Sequence, residues 1–256
     1  MIRMAENCLP EINSRFCYEV RQIDRPQEIL FQMFKRFEER AVIITSGQLT
    51  GMIITHMAHE NGIPFRVCTI DTLRLFPETY TFLEKVEARY GIQIERIKPD
   101  LENVDRMVNL HGEFLFFDSK DKQEHCCHTR KVEPLERLLR ENIDVWFSGL
   151  RRDQSENRRS VPKAQIVERK GRSILKINPL FDWTEKQVRD FIKEHDIPIN
   201  PLLVSKMNGQ FYDSLGCIIC TTPMLPGESR RAGRWRWQNV QVEEGNKKEC
   251  GLHFSI

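Results

Sequence analysis

The sequence predicts an α/β protein, a mostly parallel sheet flanked by helices and followed by an irregular C-terminal tail. Three observations carry that expectation. Apolar runs of strand length, rich in β-branched residues, recur at 41–45, 65–70, 92–97 and 143–148. Stretches with apolar residues at helical spacing lie between them, giving the repeated β-α-β order of a parallel sheet covered on both faces. Small, acidic and basic residues collect just after the runs, and sheets of this kind bind ligands beyond the carboxyl ends of their strands.

From Arg25 to Phe37, the residues Ile29, Leu30, Met33, Phe34 and Phe37 recur at helical spacing, so residues 1–40 are expected to form an N-terminal helical segment. The run Ala41–Thr45 reads as a buried strand delivering Ser46-Gly-Gln-Leu-Thr-Gly51, after which Met52, Ile53, Met57 and Ala58 continue as a helix. A small-residue turn between a parallel strand and a helix N-terminus points backbone N–H groups at an anion. The GK[ST] ending of a Walker A loop is absent, and an ordinary strand-to-helix turn is the competing reading. The strand Phe65–Ile70, the loop Asp71–Pro77, the helix Glu78–Tyr90 and the strand Ile92–Ile97 follow, placing Ser46, Asp71 and Thr72 at strand carboxyl ends. Cys68, inside a strand, reads as packing.

A helical stretch at 103–109 and a helix carrying Leu135, Leu138 and Leu139 precede the strand Ile143–Ser148. That strand delivers Gly149-Leu-Arg-Arg-Asp-Gln-Ser155, whose cations and amides suit an anionic nucleotide, a solvated basic loop being the alternative. Residues 164–177 read as a hairpin turning at Lys170-Gly171, and Thr184–His195 as a helix with Thr184 as its N-cap. Three parts result: residues 1–40, an α/β domain over 41–228, and a tail over 229–256.

The 256 residues suffice for one sizeable α/β domain, and a net charge of +2 gives no global field for nucleic acid or a charged membrane. No apolar run approaches the ~18 residues of a membrane span, and Glu6, Pro10 and Glu11 leave no signal-peptide core, so a cytoplasmic location is expected. In that reducing setting eight cysteines point to metal binding or catalysis before disulfides.

Cys126 and Cys127 are adjacent thiols beside Arg130 and Lys131, and Cys217 and Cys220 form a CxxC pair far downstream. Four thiolates make a metal site if the fold brings the pairs together. Zinc takes a spaced CxxC knuckle from each side, which a vicinal pair fits poorly, whereas the two sulfurs of such a pair suit different corners of an iron–sulfur cube. Structural zinc, a disulfide and free thiols remain as alternatives. In the tail, Arg230, Arg231, Arg234 and Arg236 crowd around Trp235 and Trp237, a composition suited to gripping phosphate or sulfate. As the rest of the chain is not basic, a small anion is favoured over nucleic acid. Lys247-Lys-Glu-Cys-Gly-Leu-His253 sets a lone thiol, Cys250, among cations that raise its thiolate fraction; a terminal thiol without a role is the alternative.

Cys126-Cys-His-Thr-Arg-Lys131, Gly216-Cys-Ile-Ile-Cys-Thr221 and Glu249-Cys-Gly-Leu-His253, in that order, resemble the assimilatory adenylyl-sulfate (APS) reductases, relatives of the phosphoadenylyl-sulfate (PAPS) reductases. The resemblance extends from about Ala41 to His253, taking in Ser46-Gly47, the run from Asp71 to Thr79, Gly149–Ser155 and the Arg231/Arg234 region. It implies an adenine-nucleotide α-hydrolase-like, PP-loop-related fold, a [4Fe-4S] cluster on Cys126, Cys127, Cys217 and Cys220, and a catalytic Cys250. Two departures stand out: Leu73 occupies a place where the family usually has Gly, and no acidic residue stands near Leu49 or Thr50.

The resemblance further implies that a Cys250 thiolate attacks the sulfur of APS, expels AMP, and leaves an S-sulfonated cysteine that thioredoxin or glutaredoxin, as a separate protein, resolves to sulfite. Lys131, Arg231 and Arg234 are the expected sulfate-side residues, Ser46, Gly47, Asp71, Thr72, Gly149, Arg151 and Arg152 the nucleotide-side ones, and His253 a further substrate-binding residue. A PAPS reductase, a PP-loop ATP-dependent sulfurtransferase and a non-catalytic redox sensor are the other readings. A homo-oligomer is compatible with the sequence.

Overall fold

Two helices precede the first strand in the computed structural model, which describes residues 11–237 apart from 170, 207 and 230. In α1 (Ser14–Arg21) the Asn13 side chain accepts from the Phe16 N–H, and α2 (Pro26–Phe37) begins on Pro, whose missing N–H would have no helical partner there. The buried face of α2, Ile29, Leu30, Met33, Phe34 and Phe37, packs with Phe16 and Val20 of α1 into the same core as Ile43, Val67 and Phe147 of the sheet. The described residues ahead of 41 therefore share the main core.

The chain then runs through β1 (Ala41–Ile44), α3 (Leu49–Glu60), β2 (Arg66–Ile70), α4 (Pro77–Tyr90), β3 (Ile94–Ile97), α5 (Leu101–His111), α6 (Lys120–Cys127), α7 (Glu133–Arg140), β4 (Val145–Ser148), β5 (Ala164–Arg169), β6 (Arg172–Ile177) and α8 (Glu185–Glu194). The six strands lie in the order β3-β2-β1-β4-β6-β5; only β5 is antiparallel to its neighbour, as the hairpin requires. The expected α/β class and strand order of events are thus observed, with Thr184 capping α8 in a reciprocal pair with Gln187. None of the described helices is long and apolar enough to cross a membrane.

The chain leaves β1 toward β2 and β3, then crosses back to place β4 on the other side of β1. That reversal opens a crevice at the carboxyl ends of β1 and β4, where Ile44 pairs with Ser148 and the two following turns stand side by side. Here α3 begins earlier than its apolar pattern: Leu49 is its first residue, so Gly51 sits in the first turn and not in the preceding loop. Close packing explains the glycine. A Cβ at Gly51 would lie 2.1 Å from Thr45 Oγ1, and one at Gly149 would lie 3.2 Å from Thr50 Cβ.

Lys176 of β6 is 2% exposed, and its Nζ stands 4.5 Å above the Trp146 ring of β4. Burial, followed by Arg158 and Arg169, pushes its pKa from the ordinary 10.5 down to about 8. Between those two values the folded chain binds fewer protons than the unfolded one, so stability rises with pH across that window. Below it the penalty is complete, ~3 kcal/mol. Lys176→Met is expected to flatten the profile and to raise stability at pH 7 by about 1 kcal/mol, the loss of a desolvated cation–π attraction of ~2 kcal/mol offsetting the rest. Urea midpoints of both proteins at pH 7 and 9.5 check this; parallel profiles would contradict it.

Candidate active site

The crevice widens into a cavity of about 260 Å³, close to the lower end of small-molecule pockets at roughly 300 Å³. One wall is the β1–α3 turn, where Ser46, Gln48 and the first turn of α3, Leu49 to Gly51, face the cavity. The first N–H groups of a helix have no partner within it and carry the positive end of its dipole, so this wall offers an anion a place to sit. The opposite wall is Ser148, Gly149, Leu150 and Arg151 after β4, and the roof is Asp213 to Gly216 with Arg231 and Arg234. Gln48 ties wall to roof: its amide accepts from the Leu215 N–H at 3.0 Å and donates back to the Leu215 carbonyl at 3.2 Å.

Of the residues singled out from the sequence, Ser46, Thr72, Lys131, Gly149, Arg151, Arg231 and Arg234 line this one cavity. Gly47, Asp71 and Arg152 do not. Gly47 takes φ +69° and turns toward Phe82 and Leu83, serving the turn's geometry. The buried Asp71 carboxylate accepts from the Leu73 N–H at 2.9 Å and the Tyr80 hydroxyl at 2.7 Å, which shapes the loop that carries Thr72. Leu73 itself stands at φ +60°, the left-handed region that favours glycine. Arg152 points outward, donating to the Val161 carbonyl at 2.9 Å and lying over Phe181. Arg151 reaches the cavity with its charge already shared, Nη2 donating to Glu185 Oε2 at 2.7 Å and Nη1 standing 3.2 Å from Asp153. Cys250 and His253 lie outside the described residues.

The two cysteine pairs meet at the loop after β2. α6 and α7 form one continuous helix interrupted by a π-helical turn, His128–Val132, and Cys126 and Cys127 are the last residues before it. The sequence reads as helix only after this point; the cysteines are themselves helical, and the wider turn buries Arg130 and Lys131. Arg130 donates to the Thr72 carbonyl at 3.0 Å, while Cys217 Sγ donates to the Thr72 hydroxyl at 3.3 Å and the Ile218 N–H to the Arg74 carbonyl at 2.8 Å. Cys126, Cys127, Cys217 and Cys220 accordingly line a single small cavity together with Arg74, Arg130, Lys131 and Trp235. None of the four is joined in a disulfide. Burial pushes the Cys220 thiol up to about 12 and raises that of Cys126, with Lys131 and Arg234 opposing the first shift and Arg130 the second. Among the described residues no three His, Cys, Asp or Glu side chains close on a single metal ion.

The Arg/Trp stretch is built into this region. Trp235 packs on Cys217 and Cys220, and Arg234, 4.7 Å from the Trp235 ring, is buried with Nε donating to the Cys220 carbonyl. Its guanidinium lies flat on Gly216, where a Cβ would come within 2.3 Å of Nη2. Arg236 is taken up by Glu228, at 2.6 and 2.9 Å. Gln48 and Gln154, quoted within their turns but given no role of their own, also line the larger cavity, as does Arg158, and Gln123 lines the smaller one; nothing in their spacing marked the last two.

The chain matches the phosphoadenosine phosphosulfate reductase domain over residues 40–223. It is 38% identical over 234 residues to an adenosine 5'-phosphosulfate reductase of Burkholderia cepacia, covering 91% of this chain and 88% of that one. With the adenosine 5'-phosphosulfate reductase of Agrobacterium fabrum it shares 39% identity over 216 residues, 84% of this chain and 78% of the other. Its structure is similar to the crystal structure of phosphoadenylyl-sulfate (PAPS) reductase from Candida auris in a phosphate complex, with a TM-score of 0.67 and 28% identity, covering 84% of this chain and all of the other.

Proposed function

Because the chain belongs to the phosphoadenosine phosphosulfate reductase domain family, we propose that it reduces adenylyl sulfate to sulfite and AMP in sulfate assimilation, with thioredoxin or glutaredoxin as reductant. The observation that carries this reading is Lys131, which lines both the nucleotide-sized cavity and the four-thiol cavity. A cation at that junction, with Arg234 on the same roof, is suited to the sulfate end of a sulfonucleotide whose phosphate lies toward the first turn of α3. Two relatives along most of the chain carry the APS reductase name, which favours APS over PAPS.

Four reduced, buried thiols around one cavity fit a [4Fe-4S] cluster by donor chemistry, and Arg74, Arg130 and Lys131 at its edge would offset the charge of four thiolates. Cys126, Cys127, Cys217 and Cys220 would hold the group through their thiolates. When bound, the group supplies a fixed local field and a rigid joint between the two cysteine segments.

The chemistry balances without net electron transfer from that group. The Cys250 thiolate attacks the sulfate sulfur, the bond from that sulfur to the bridging oxygen breaks, and AMP leaves with the electron pair. Lys131 and Arg234 stabilise the charge that gathers on the sulfonate oxygens as the anionic nucleophile approaches. A thiolate of the reductant then attacks Cys250 Sγ and releases sulfite; its second thiol frees Cys250 and closes the reductant's disulfide, accounting for the two electrons.

Sulfite formation measured with APS and with PAPS, each with thioredoxin, tests the proposal; an equal or higher kcat/KM with PAPS would reverse the choice of substrate. Lys131→Ala and Arg234→Ala are each expected to lower kcat/KM ten- to a hundredfold, as losing a charge-assisted contact costs ~1.5–3 kcal/mol. Native kcat/KM in both variants would remove them from the sulfate site.

A further inference from the structure

Gln123 has no part in the reaction above, yet it is buried, 6% exposed, in the wall of the four-cysteine cavity. It lies on α6 one turn ahead of Cys127, and its Nε2 donates to Cys127 Sγ at 3.1 Å. The π-helical turn begins only at His128, so Gln123 and Cys127 keep the i, i+4 spacing that stacks side chains on one helix face. The adjacent cysteines therefore have unlike neighbours. Cys126 lies where the Arg130 charge acts on it, and Cys127 accepts from the Gln123 amide. A thiol sulfur is a weak acceptor, and a thiolate bound to metal is a stronger one because hydrogen bonds to charged groups are the stronger kind.

Resting on the cluster reading, we propose that Gln123 is a positioning residue for the metal centre, its amide N–H holding the Cys127 sulfur in its ligating position and drawing charge from it. Hydrogen bonds to the sulfurs are among the factors that set a cluster's reduction potential, and donation to a thiolate stabilises the more negative, reduced form. Without the donor the potential moves to more negative values, the iron–sulfur stretch at Cys127 changes, and the ligand detaches more readily. The amide must present nitrogen and not oxygen to the sulfur, which separates Gln from Glu at this position although the two have nearly the same shape.

The test uses full-length protein prepared anaerobically, with native, Gln123→Leu, Gln123→Glu and Gln123→His chains compared by iron content, resonance Raman spectrum, reduction potential and iron release to a chelator. Gln123→Leu is expected to bind iron, shift one set of Fe–S(Cys) bands and release iron about tenfold faster, the effect of one lost charge-assisted hydrogen bond. Gln123→Glu is expected to release iron faster still, since a carboxylate opposes the thiolate. Gln123→His, which restores a ring N–H, is expected to return toward the native spectrum. Native bands and release rate in Gln123→Leu overturn the proposal. If that variant fails to fold by circular dichroism, native-like release from Gln123→Glu overturns it instead. A native protein without iron overturns this proposal and the cluster reading together, whereas iron in the native chain with an unaltered Leu variant overturns this one alone.

Discussion

Cys250→Ser is expected to abolish sulfite formation while leaving iron content and nucleotide affinity at native levels. Serine at neutral pH has almost no anion with which to attack sulfur, whereas a cysteine thiol, with an ordinary pKa of ~8.5, supplies some thiolate there. The complementary measurement is made on the native chain. Given APS and no reductant, it is expected to release about one AMP per site and stop, the single turnover of a covalent mechanism, with one sulfonate on the tail peptide. Adding thioredoxin then releases that group as sulfite. Native-rate sulfite from the serine variant, or the adduct on another cysteine, would place the nucleophile elsewhere. The cysteines among the described residues make poor candidates. Cys17 and Cys68 are buried, burial pushes the Cys68 thiol up to about 12, and Cys126, Cys127, Cys217 and Cys220 share one cavity.

Cys217→Ser is expected to remove the metal and the activity together. Anaerobically prepared native protein is expected to be brown with about four irons per chain, as four-thiolate ligation of a cubane implies. The variant is expected to be colourless and inactive, with nucleotide affinity reduced because Cys217 sits one residue beyond Gly216, which lines the larger cavity and supports Arg234. Stoichiometric zinc in active native protein, or four irons in the variant, would defeat the assignment.

The sequence alone determined the fold class, the order of its elements and the identity of the thiols. These are local signals. Strand-length apolar runs, the hairpin at 164–177 and the Thr184 cap each follow from residues a few positions apart, and the structure has them within one to three residues. Which residues share a site was decided only in three dimensions. The partition of cations shows why. Arg151 and Arg152 are chemically identical neighbours, yet one turns into the cavity against Glu185 and the other stacks outward on Phe181. The exposed-looking Arg234 and Trp235 are buried because the chain folds back over Cys220. Asp71 reads as a ligand group but organises its own loop, and Gln48 looks like any polar residue until Leu215 arrives beside it. A side chain's periodicity is written in its neighbours along the chain, whereas its partner across the fold depends on crossovers that bring residues distant in sequence into contact. That is how the Thr72 loop receives Arg130 from one cysteine segment and Cys217 from the other.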